Sequence, residues 1–443
     1  MRHIHKFANI VVLSSIAMTS SLAQALVDNK GTKRIEIDMP KAELSQILSA
    51  TKAEVSDANI QIFKDGELVR SAKVEIQNRG QTSLKKFSRK NLSVKVDKDH
   101  ASDQHKKMHI GHVESSKIIL SAGPEDGLLL KNKISYALLK LVGISSLETE
   151  YAEVILNGKS QGLYMITDNP SDYMTKDKDA DVVFRRRYND DIEIKDAKKE
   201  MSQSEIKSAQ KQLMNLHRKL TSLKGEQFIN EISKQMNLKN YMKWMALNYI
   251  LKNGDFVDEV YFYGKKQADG TMYFDIAPWD LDDTFSKQMH LEQIPTFPNN
   301  AMGSESDKQL IYNYEGRIDL AIAKDPVLLE MYFNEMAEVV TQIDDIALEA
   351  IFADVRHDVS VYTQDQDIQK AGLQDPIKAI YNDDYANKSL NEKLQMIRER
   401  RDKVKVELAQ INKDTVADRK LRLNAFQMFF IRMNNYLIRY FTK

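Results

Sequence analysis

The sequence has no cysteine, and its charges cancel, with 64 lysine and arginine side chains against 64 aspartate and glutamate side chains in 443 residues. The lack of cysteine excludes disulfide bonds and thiolate metal sites, so packing must stabilise the fold. With a net charge of zero, nothing in the overall composition indicates nucleic acid or an anionic membrane as a partner. Any electrostatic function must therefore come from local clusters of charge.

The apolar run near the N-terminus is too short to be a typical membrane span. It follows the basic start MRHIHK and is followed by TSSLAQA, with small residues at Ala23 and Ala25. This order predicts a secretory signal peptide over residues 1–25, cleaved after Ala25. The alternative is a membrane anchor, but a span needs ~20 apolar residues. We therefore expect a secreted, periplasmic or cell-envelope protein whose mature chain has no transmembrane span.

Short alternating segments predict strands in the first half of the chain. They lie at residues 34–39, 58–63, 72–78, 91–96 and 117–122. A helix is predicted at 126–143, because the segment has helical apolar spacing, an acidic start and a glycine stop. A hairpin is predicted at 151–167, where Asn157-Gly158 favours the positive backbone dihedrals of a tight turn.

From about residue 200 the pattern changes to that of helices. They are predicted at residues 204–222, 238–252, 326–344, 391–412 and 417–441. A second hairpin is predicted around Asp269-Gly270, and the polar segment 286–316 is expected to be a long surface excursion. The predicted fold class is α+β, with a sheet-rich N-terminal half over residues 26–200 and a mainly helical C-terminal half over residues 201–443.

The basic stretch, RGQTSLKKFSRKNLSVKV at residues 79–96, places a glycine, hydroxyl side chains and several cations between two predicted strands. Backbone amides of such a turn, together with its cations, are suited to holding phosphates. The cations are Arg79, Lys85, Lys86, Arg89 and Lys90. The alternative is a solvated, charged hairpin.

Two acidic segments flank the second predicted hairpin. In the first, a helix is predicted to stop at Asn253-Gly254, and Asp255 follows in a loop. A carboxylate held there suits a base that orients an incoming hydroxyl group. The alternative is a helix C-cap followed by a solvated aspartate.

The second acidic segment, PWDLDDTF, gathers Asp280, Asp282 and Asp283 within four positions. Carboxylates this close repel each other unless a cation, a basic partner or water compensates for their charge. If the backbone is extended, Asp280 and Asp282 point the same way and present oxygen ligands that suit Mg²⁺ or Mn²⁺. The alternative is that Asp282 or Asp283 caps a short helix.

The order of these parts resembles the CotH kinase family. The resemblance lies in RGQTSLKKFSRKNLSVKV, LLLKNKISYALLKLVG, YAEVILNGKSQGLYMITD, NGDFVDEVYFY and IAPWDLDDTF, over about residues 70–290. It implies an atypical, two-lobed protein-kinase-like fold that uses ATP with Mg²⁺ or Mn²⁺ and transfers phosphate to Ser or Thr hydroxyls of a protein substrate.

Carried onto this sequence, the resemblance implies a role for each matching residue. It implies Asp255 as the catalytic aspartate and Asp280 with Asp282 as the metal ligands. It also implies Arg79, Ser83 and Lys90 as nucleotide-binding residues.

The sequence departs from the family pattern at three places. The turn reads RGQTS where the family has an RGNSS-like turn, and Asp168 closes the first hairpin where the family usually has glutamate. The asparagine that commonly follows the catalytic aspartate is missing, and Asp258 and Glu259 stand in its neighbourhood as possible substitutes. The rival prediction is therefore an inactive CotH-like pseudokinase that acts as a cell-surface adhesin or assembly protein.

Overall fold

The computed structural model describes residues 31–80, 82–97, 107–187, 191–219, 222–286, 308–312, 316–411 and 413–420. The predicted signal peptide at residues 1–25 lies outside the described residues, as does most of the helix predicted at 417–441. The same holds for most of the excursion predicted at 286–316. These three features stay predictions.

Seven strands of the N-terminal half close into a barrel. In chain order they are β1 (Lys33–Asp38), β2 (Glu54–Lys64), β3 (Glu67–Arg79), β4 (Asn91–Val96), β7 (Lys117–Ser121), β8 (Thr149–Leu156) and β9 (Lys159–Asp168). Their order around the barrel is β1-β2-β3-β4-β7-β9-β8, and β8 returns to β1 as a parallel pair. A separate short ladder joins β5 (Met108–Ile110) to β6 (Val113–Ser115).

Alternating apolar residues fill the inside of the barrel. Along β1, Ile35 and Ile37 are buried, and the same alternation places Ile60 and Ile62 of β2 in the same cluster. Side chains two apart on a strand point to the same face, which is the pattern that predicted these strands. The barrel therefore has its own apolar core.

A second sheet has the order β11-β10-β12-β13, and all its pairs are antiparallel. Its strands are β10 (Val182–Arg187), β11 (Asp191–Ala197), β12 (Val260–Lys266) and β13 (Met272–Pro278). The predicted second hairpin is the β12–β13 pair, whereas the sequence analysis predicted neither β10 nor β11. Because β10 and β11 precede residue 200 and β12 and β13 follow it, this sheet joins segments from both halves.

Most of the helices lie in the C-terminal half. They are α1 (Lys41–Ile47), α2 (Thr82–Lys86), α3 (Leu130–Leu141), α4 (Pro170–Lys176), α5 (Gln203–Lys219), α6 (Gly225–Ser233), α7 (Leu238–Leu251), α8 (Arg317–Lys324), α9 (Pro326–Gln342), α10 (Asp345–Ser360), α11 (Gln366–Gln374), α12 (Asp383–Gln410) and α13 (Lys413–Arg419). This distribution confirms the predicted α+β class. No helix in the described part of the chain combines the length and apolar character needed to cross a membrane.

Helix α7 is the buried support of the first acidic segment. Asn237 caps its N-terminus by accepting a hydrogen bond from the Asn240 N–H, and Trp244 and Tyr249 are among its buried side chains. Its left-handed C-terminal residue is Lys252, with φ of 51°. The helix predicted at 238–252 therefore ends one residue earlier, at Leu251, and Lys252 forms its left-handed C-cap.

Helix α3 supports the second acidic segment. The buried Asp126 carboxylate accepts hydrogen bonds from the backbone N–H groups of Lys131 and Asn132, at 2.9 and 3.0 Å. The side-chain carbonyl of Asn132 then accepts a 3.0 Å hydrogen bond from the Leu281 N–H. The acidic segment is thus fixed to a helix that lies 149 positions earlier in the sequence.

Candidate active site

Backbone hydrogen bonds hold the two acidic segments together. We call residues 252–259 the first acidic loop and residues 279–286 the second acidic loop. The Gly254 N–H donates to the Asp283 carbonyl at 3.0 Å, and the Phe285 N–H donates to the Leu251 carbonyl at 2.7 Å. A Cβ on Gly254 would lie 2.3 Å from Asp283 Oδ2 and 3.1 Å from Ser286 Cβ, so a larger residue there would displace the Asp283 side chain.

Two consecutive residues of the first acidic loop are anchored in the core. The Phe256 ring packs edge to face on Trp244, with ring centroids 5.1 Å apart. The Val257 carbonyl accepts a 2.6 Å hydrogen bond from Arg186 Nε. These anchors fix the backbone between Asp255 and Asp258, and that is the support an active-site carboxylate needs.

The first acidic loop brings three carboxylates together. One oxygen from each of Asp255, Asp258 and Glu259 lies within 4.8 Å of the others, and we call these residues the carboxylate triad. Asp258 is only 6% exposed, and its Oδ1 is buried without a hydrogen-bond partner among the described residues. A buried, unbonded carboxylate oxygen is costly, so the triad has the chemistry of a cation-binding site.

Two arginines of β10 face the triad. Arg185 Nη2 lies 3.3 Å from Asp258 Oδ2 and 3.3 Å from both Glu259 oxygens, and Arg185 Nε donates to the Asp258 carbonyl at 2.8 Å. Arg187 Nη1 lies 3.4 Å from the same Asp258 Oδ2. Desolvation lowers the pKa of Arg185, but Glu259, Tyr261, Asp258 and Asp280 more than offset it, so the pKa is raised and Arg185 is a permanent cation.

Three consecutive arginines, Arg185 to Arg187, end strand β10, and their side chains lie on its two faces. Arg186 is 0% exposed and donates a 2.6 Å hydrogen bond to the Tyr241 hydroxyl. The two-residue period of a strand places Arg185 and Arg187 on the other face, toward the triad. Strand β10 therefore has a buried arginine on one face and two acid-facing arginines on the other.

Asp280 lies in the second acidic loop with an exposed side chain, although protein groups surround it. Desolvation by these groups raises its pKa, while Arg185 and Arg79 oppose the shift and Asp258 adds to it. A carboxylate that is both accessible and desolvated lies in a cleft. The backbone at Asp280 is left-handed, with φ of 52°, so the extended conformation considered for residues 280–282 is wrong.

Asp282 is half-buried beside Asp280. Desolvation raises its pKa well above the ordinary value, Asp280 and Asp126 add to the shift, and Lys131 opposes it. The Lys131 ammonium donates a 2.7 Å hydrogen bond to the backbone carbonyl of Asp282. Residues 282–285 form a turn closed by a 2.9 Å hydrogen bond from Thr284 Oγ1 to the Leu281 carbonyl, so the helix-cap alternative is not what these residues form.

Arg79, at the end of β3, faces the second acidic loop from the barrel. Its guanidinium lies 5.5 Å from the centroid of the Trp279 ring. Desolvation lowers the pKa of Arg79, and Tyr261 and Asp280 oppose the shift. Its Nη1 is buried and has no hydrogen-bond partner in the described part of the chain, so this guanidinium has an unused donor in the cleft.

The turn after Arg79 has the geometry of a close backbone approach. Gly80 has φ of 108°, and a Cβ there would lie 2.1 Å from Ser83 Oγ. A residue other than glycine would therefore be strained and would displace Ser83. Ser83 itself is half-buried in the short helix α2. The structure thus places Arg79, Gly80 and Ser83 at one turn.

Lys90 and Arg89 are bound by the protein itself. The Lys90 side chain is 5% exposed, and its ammonium donates hydrogen bonds to the backbone carbonyls of Leu84, at 2.6 Å, and Phe87. Arg89 forms a buried 2.7 Å salt bridge with Asp375. These bonds hold the basic stretch in place, and they leave Lys90 one N–H for any other ligand.

The residues of the cleft fit a divalent cation and a polyphosphate. The carboxylate triad, Asp280 and Asp282 supply hard oxygen ligands, and the buried Asp258 Oδ1 has no hydrogen-bond partner among the described residues. The unused Arg79 donor and the Gly80 turn supply groups that bind phosphate oxygens. The sequence analysis named Asp255, Asp280 and Arg79 but missed Arg185.

Fold and cleft together define an α+β protein whose sheet-rich half presents a cation to paired acidic loops of the helical half. The chain belongs to the CotH kinase family, because the family model described as CotH kinase protein matches residues 76–404. This confirms the resemblance found in the sequence, and every predicted site residue lies inside the match. The chain is also 27% identical over 191 residues to the inner spore coat protein H of Bacillus subtilis, and the alignment covers 40% of this chain and 52% of that protein. It spans about half the length of this curated relative.

Proposed function

We propose that this protein is a two-lobed, kinase-like enzyme that transfers the γ-phosphate of ATP to Ser or Thr hydroxyls of a protein substrate. Membership of the CotH kinase family supports a kinase-related role. The observation that carries the proposal is the cleft itself, in which backbone hydrogen bonds join two acidic loops beneath the Arg79 guanidinium. We further propose that the predicted signal peptide exports the protein to the cell envelope or beyond.

Each residue has a proposed role that follows from its position. Arg79 and Ser83 bind phosphate oxygens, and Lys90 holds the basic stretch and contributes its remaining N–H. Asp255 orients the acceptor hydroxyl and accepts its proton. Asp280 and Asp282 hold Mg²⁺ or Mn²⁺, which when bound neutralises charge on the transferring phosphoryl group. The core anchors at Phe256 and Val257 keep Asp255 in place.

A second candidate function is that of a pseudokinase that binds other proteins without transferring phosphate. One observation favours it: Arg185 already neutralises Glu259, which stands near the position of the missing family asparagine. If that pairing prevents productive metal binding, the cleft would bind nucleotide weakly or not at all. Adhesion or assembly would then be the function.

Ligand-dependent melting and phosphate transfer distinguish the two candidates. We expect ATP with Mn²⁺ to raise the melting temperature of the wild-type protein, because a ligand that binds only the folded state stabilises it. We also expect label from γ-labelled ATP to appear on a Ser/Thr-rich acceptor protein such as casein. Asp255→Asn should keep the melting shift and lose the transfer. Absence of both the shift and the transfer in the wild type would contradict the nucleotide site and support the pseudokinase, whereas a shift without transfer would support a nucleotide-binding protein that does not phosphorylate this acceptor.

A further inference from the structure

We propose that Arg185 is the resident cation of the carboxylate triad, so that the cleft holds one divalent ion and not two. The inference rests on the proposed function only in placing that one ion at Asp280 and Asp282. It goes beyond that function in assigning the triad to a side chain. In this view Arg185 is a positioning residue that acts through Asp258 and Glu259.

The first support is the location of the guanidinium. Arg185 Nη2 is 3.3 Å from Asp258 Oδ2 and 3.3 Å from both oxygens of Glu259. These two residues supply two of the three oxygens that lie within 4.8 Å of one another. The nitrogen therefore bridges two of the three carboxylates of the triad.

The second support is the rigidity of Arg185. Strand β10 is an inner strand, paired with β11 on one side and β12 on the other, and Arg185 is in register with Glu193 and Tyr261. The guanidinium is further fixed by the 2.8 Å hydrogen bond from Nε to the Asp258 carbonyl. A cation held by the sheet and by the loop it neutralises does not move away without breaking those bonds.

The third support is the charge balance. When all three carboxylates of the triad are ionised, Arg185 and Arg187 offset two of the three negative charges, and Arg187 also contacts Glu193. A divalent ion at the triad would reverse the sign of the local charge and would lie against Arg185. Asp280 and Asp282, on the other loop, have no such bridge within the described ranges, although Arg185 and Lys131 influence their electrostatics.

The consequence is a changed ion count when Arg185 is neutralised. In Arg185→Gln the triad would keep Asp258 Oδ1 unbonded and would lose the group that bridges Asp258 to Glu259. Three clustered carboxylates without that cation form a site for a hard divalent ion. We expect the wild type to bind one Mn²⁺ per chain and Arg185→Gln to bind two.

The experiment is a titration with Mn²⁺ alone, with stoichiometry read by calorimetry and by the loss of the free Mn²⁺ electron paramagnetic resonance signal. Arg398→Gln is the matched control, because its guanidinium bridges Asp345 and Glu349 far from the cleft in sequence and should not change the count. Arg185→Lys keeps the positive charge and should bind one ion. Asp280→Asn combined with Arg185→Gln should also bind one, at the triad.

The outcomes separate this inference from the proposed function. Two ions in the wild type, or one ion in both the wild type and Arg185→Gln, would overturn the role of Arg185 and leave the site at Asp280 standing. No ion in the wild type but one in Arg185→Gln would support Arg185 as the resident cation and overturn the metal role of Asp280. No ion in either would overturn both. If Arg185→Gln does not fold, the counts for the wild type and Arg185→Lys still test the inference, because two ions in either would contradict it.

Discussion

The basic stretch and the acidic loops carry opposite charges. They differ in how far other groups of the protein hydrogen-bond or neutralise those charged side chains. In the basic stretch, Lys90 donates to two backbone carbonyls and Arg89 is paired with Asp375. In the acidic loops, desolvation and like charge raise the pKa of Asp280 and Asp282. The cations of the basic stretch thus mainly stabilise the structure of the site, whereas the carboxylates of the acidic loops favour the binding of a cation.

This comparison separates groups that support the cleft from groups that serve a ligand. A supporting cation should cost stability when it is removed, because its partners stay buried without it. Removing a carboxylate that repels its neighbours should weaken ligand binding and change the stability of the fold little or not at all. Four sets of variants test this distinction, from the largest expected effect to the smallest.

Asp280→Asn should have the largest effect, with phosphate transfer falling ~100-fold or more. Its apo melting temperature should stay the same or rise, because the desolvation cost of the Asp280 charge and its repulsion with Asp258 and Asp282 are relieved. The stabilisation gained from ATP and Mn²⁺ should disappear. Asp57→Asn, on the exposed face of β2, is the control. An Asp280→Asn protein that melts early yet still transfers phosphate would contradict the metal role.

Lys90→Met and Arg79→Met should separate support from ligand binding. Lys90→Met leaves the carbonyls of Leu84 and Phe87 without their donor, so we expect the free energy of unfolding to fall by about 2 kcal/mol. Arg79→Met should change stability less and weaken ATP binding ~10-fold, because a charged donor to phosphate is lost.

Chemical denaturation and nucleotide titration measure the two quantities. Lys86→Met is the control, since its ammonium is exposed and pairs with the exposed Glu125 carboxylate. If Lys90→Met has the same free energy of unfolding as the wild type but no longer binds ATP, Lys90 is mainly a nucleotide ligand and not a structural support.

Gly80→Ala should have a smaller effect that combines strain with a shift of the turn. Both Gly80 and Gly270 have positive φ, but a Cβ meets Ser83 Oγ at 2.1 Å in the first case and nothing within 4 Å in the second. Each substitution should destabilise the fold by about 1 kcal/mol through its backbone conformation. Only Gly80→Ala should also weaken ATP binding. Equal ATP affinity in the two variants would show that the Gly80 turn is not part of the nucleotide site.

Asp168→Asn should have the smallest effect, and that effect should depend on pH. Desolvation raises the pKa of Asp168 to about 6 from 3.8, with a hydrogen bond from Ser115 and the charge of Lys176 opposing and Asp177 and Asp172 adding. The folded state therefore binds the proton more tightly, and stability falls as the pH rises from about 4 through about 6.

The asparagine variant lacks this ionisation. Relative to wild type it should gain about 1 kcal/mol between pH 4 and pH 7, after allowance for solvent screening. Urea denaturation at the two pH values measures the gain, with Asp57→Asn as the control for replacing an exposed aspartate of the barrel. A constant difference between wild type and Asp168→Asn at both pH values would contradict the burial argument.

The strands of the barrel could be predicted because each is half-buried and alternates, as Ile35 and Ile37 do in β1. Alternation did not predict β10, because the sequence analysis did not count a buried arginine among the core residues. Arg186 is tolerated inside because Tyr241 and the Val257 carbonyl bond its guanidinium, and these partners lie 55 and 71 positions away in sequence. Such compensation is tertiary and has no local signature.

The candidate site was predictable in composition but not in arrangement. The clusters around Asp255 and Asp280 are visible as local runs of acid, and the family pattern relates them to each other. Their junction depends on the Gly254 to Asp283 hydrogen bond, and their neutralisation depends on Arg185. The left-handed backbone at Asp280 also defeats the two-residue periodicity from which the direction of its side chain was inferred.

Barrel closure has a practical consequence for producing this protein. The family match begins at residue 76, inside β3, yet the barrel closes only because Arg34 to Ile37 of β1 pair with Glu153 to Leu156 of β8. A recombinant chain trimmed to the matched region would lose β1, β2 and most of β3. Strands β4 and β8 would then become open edges, and unpaired edges template aggregation. Expression trials should therefore start before Lys33, even though the family signature starts later.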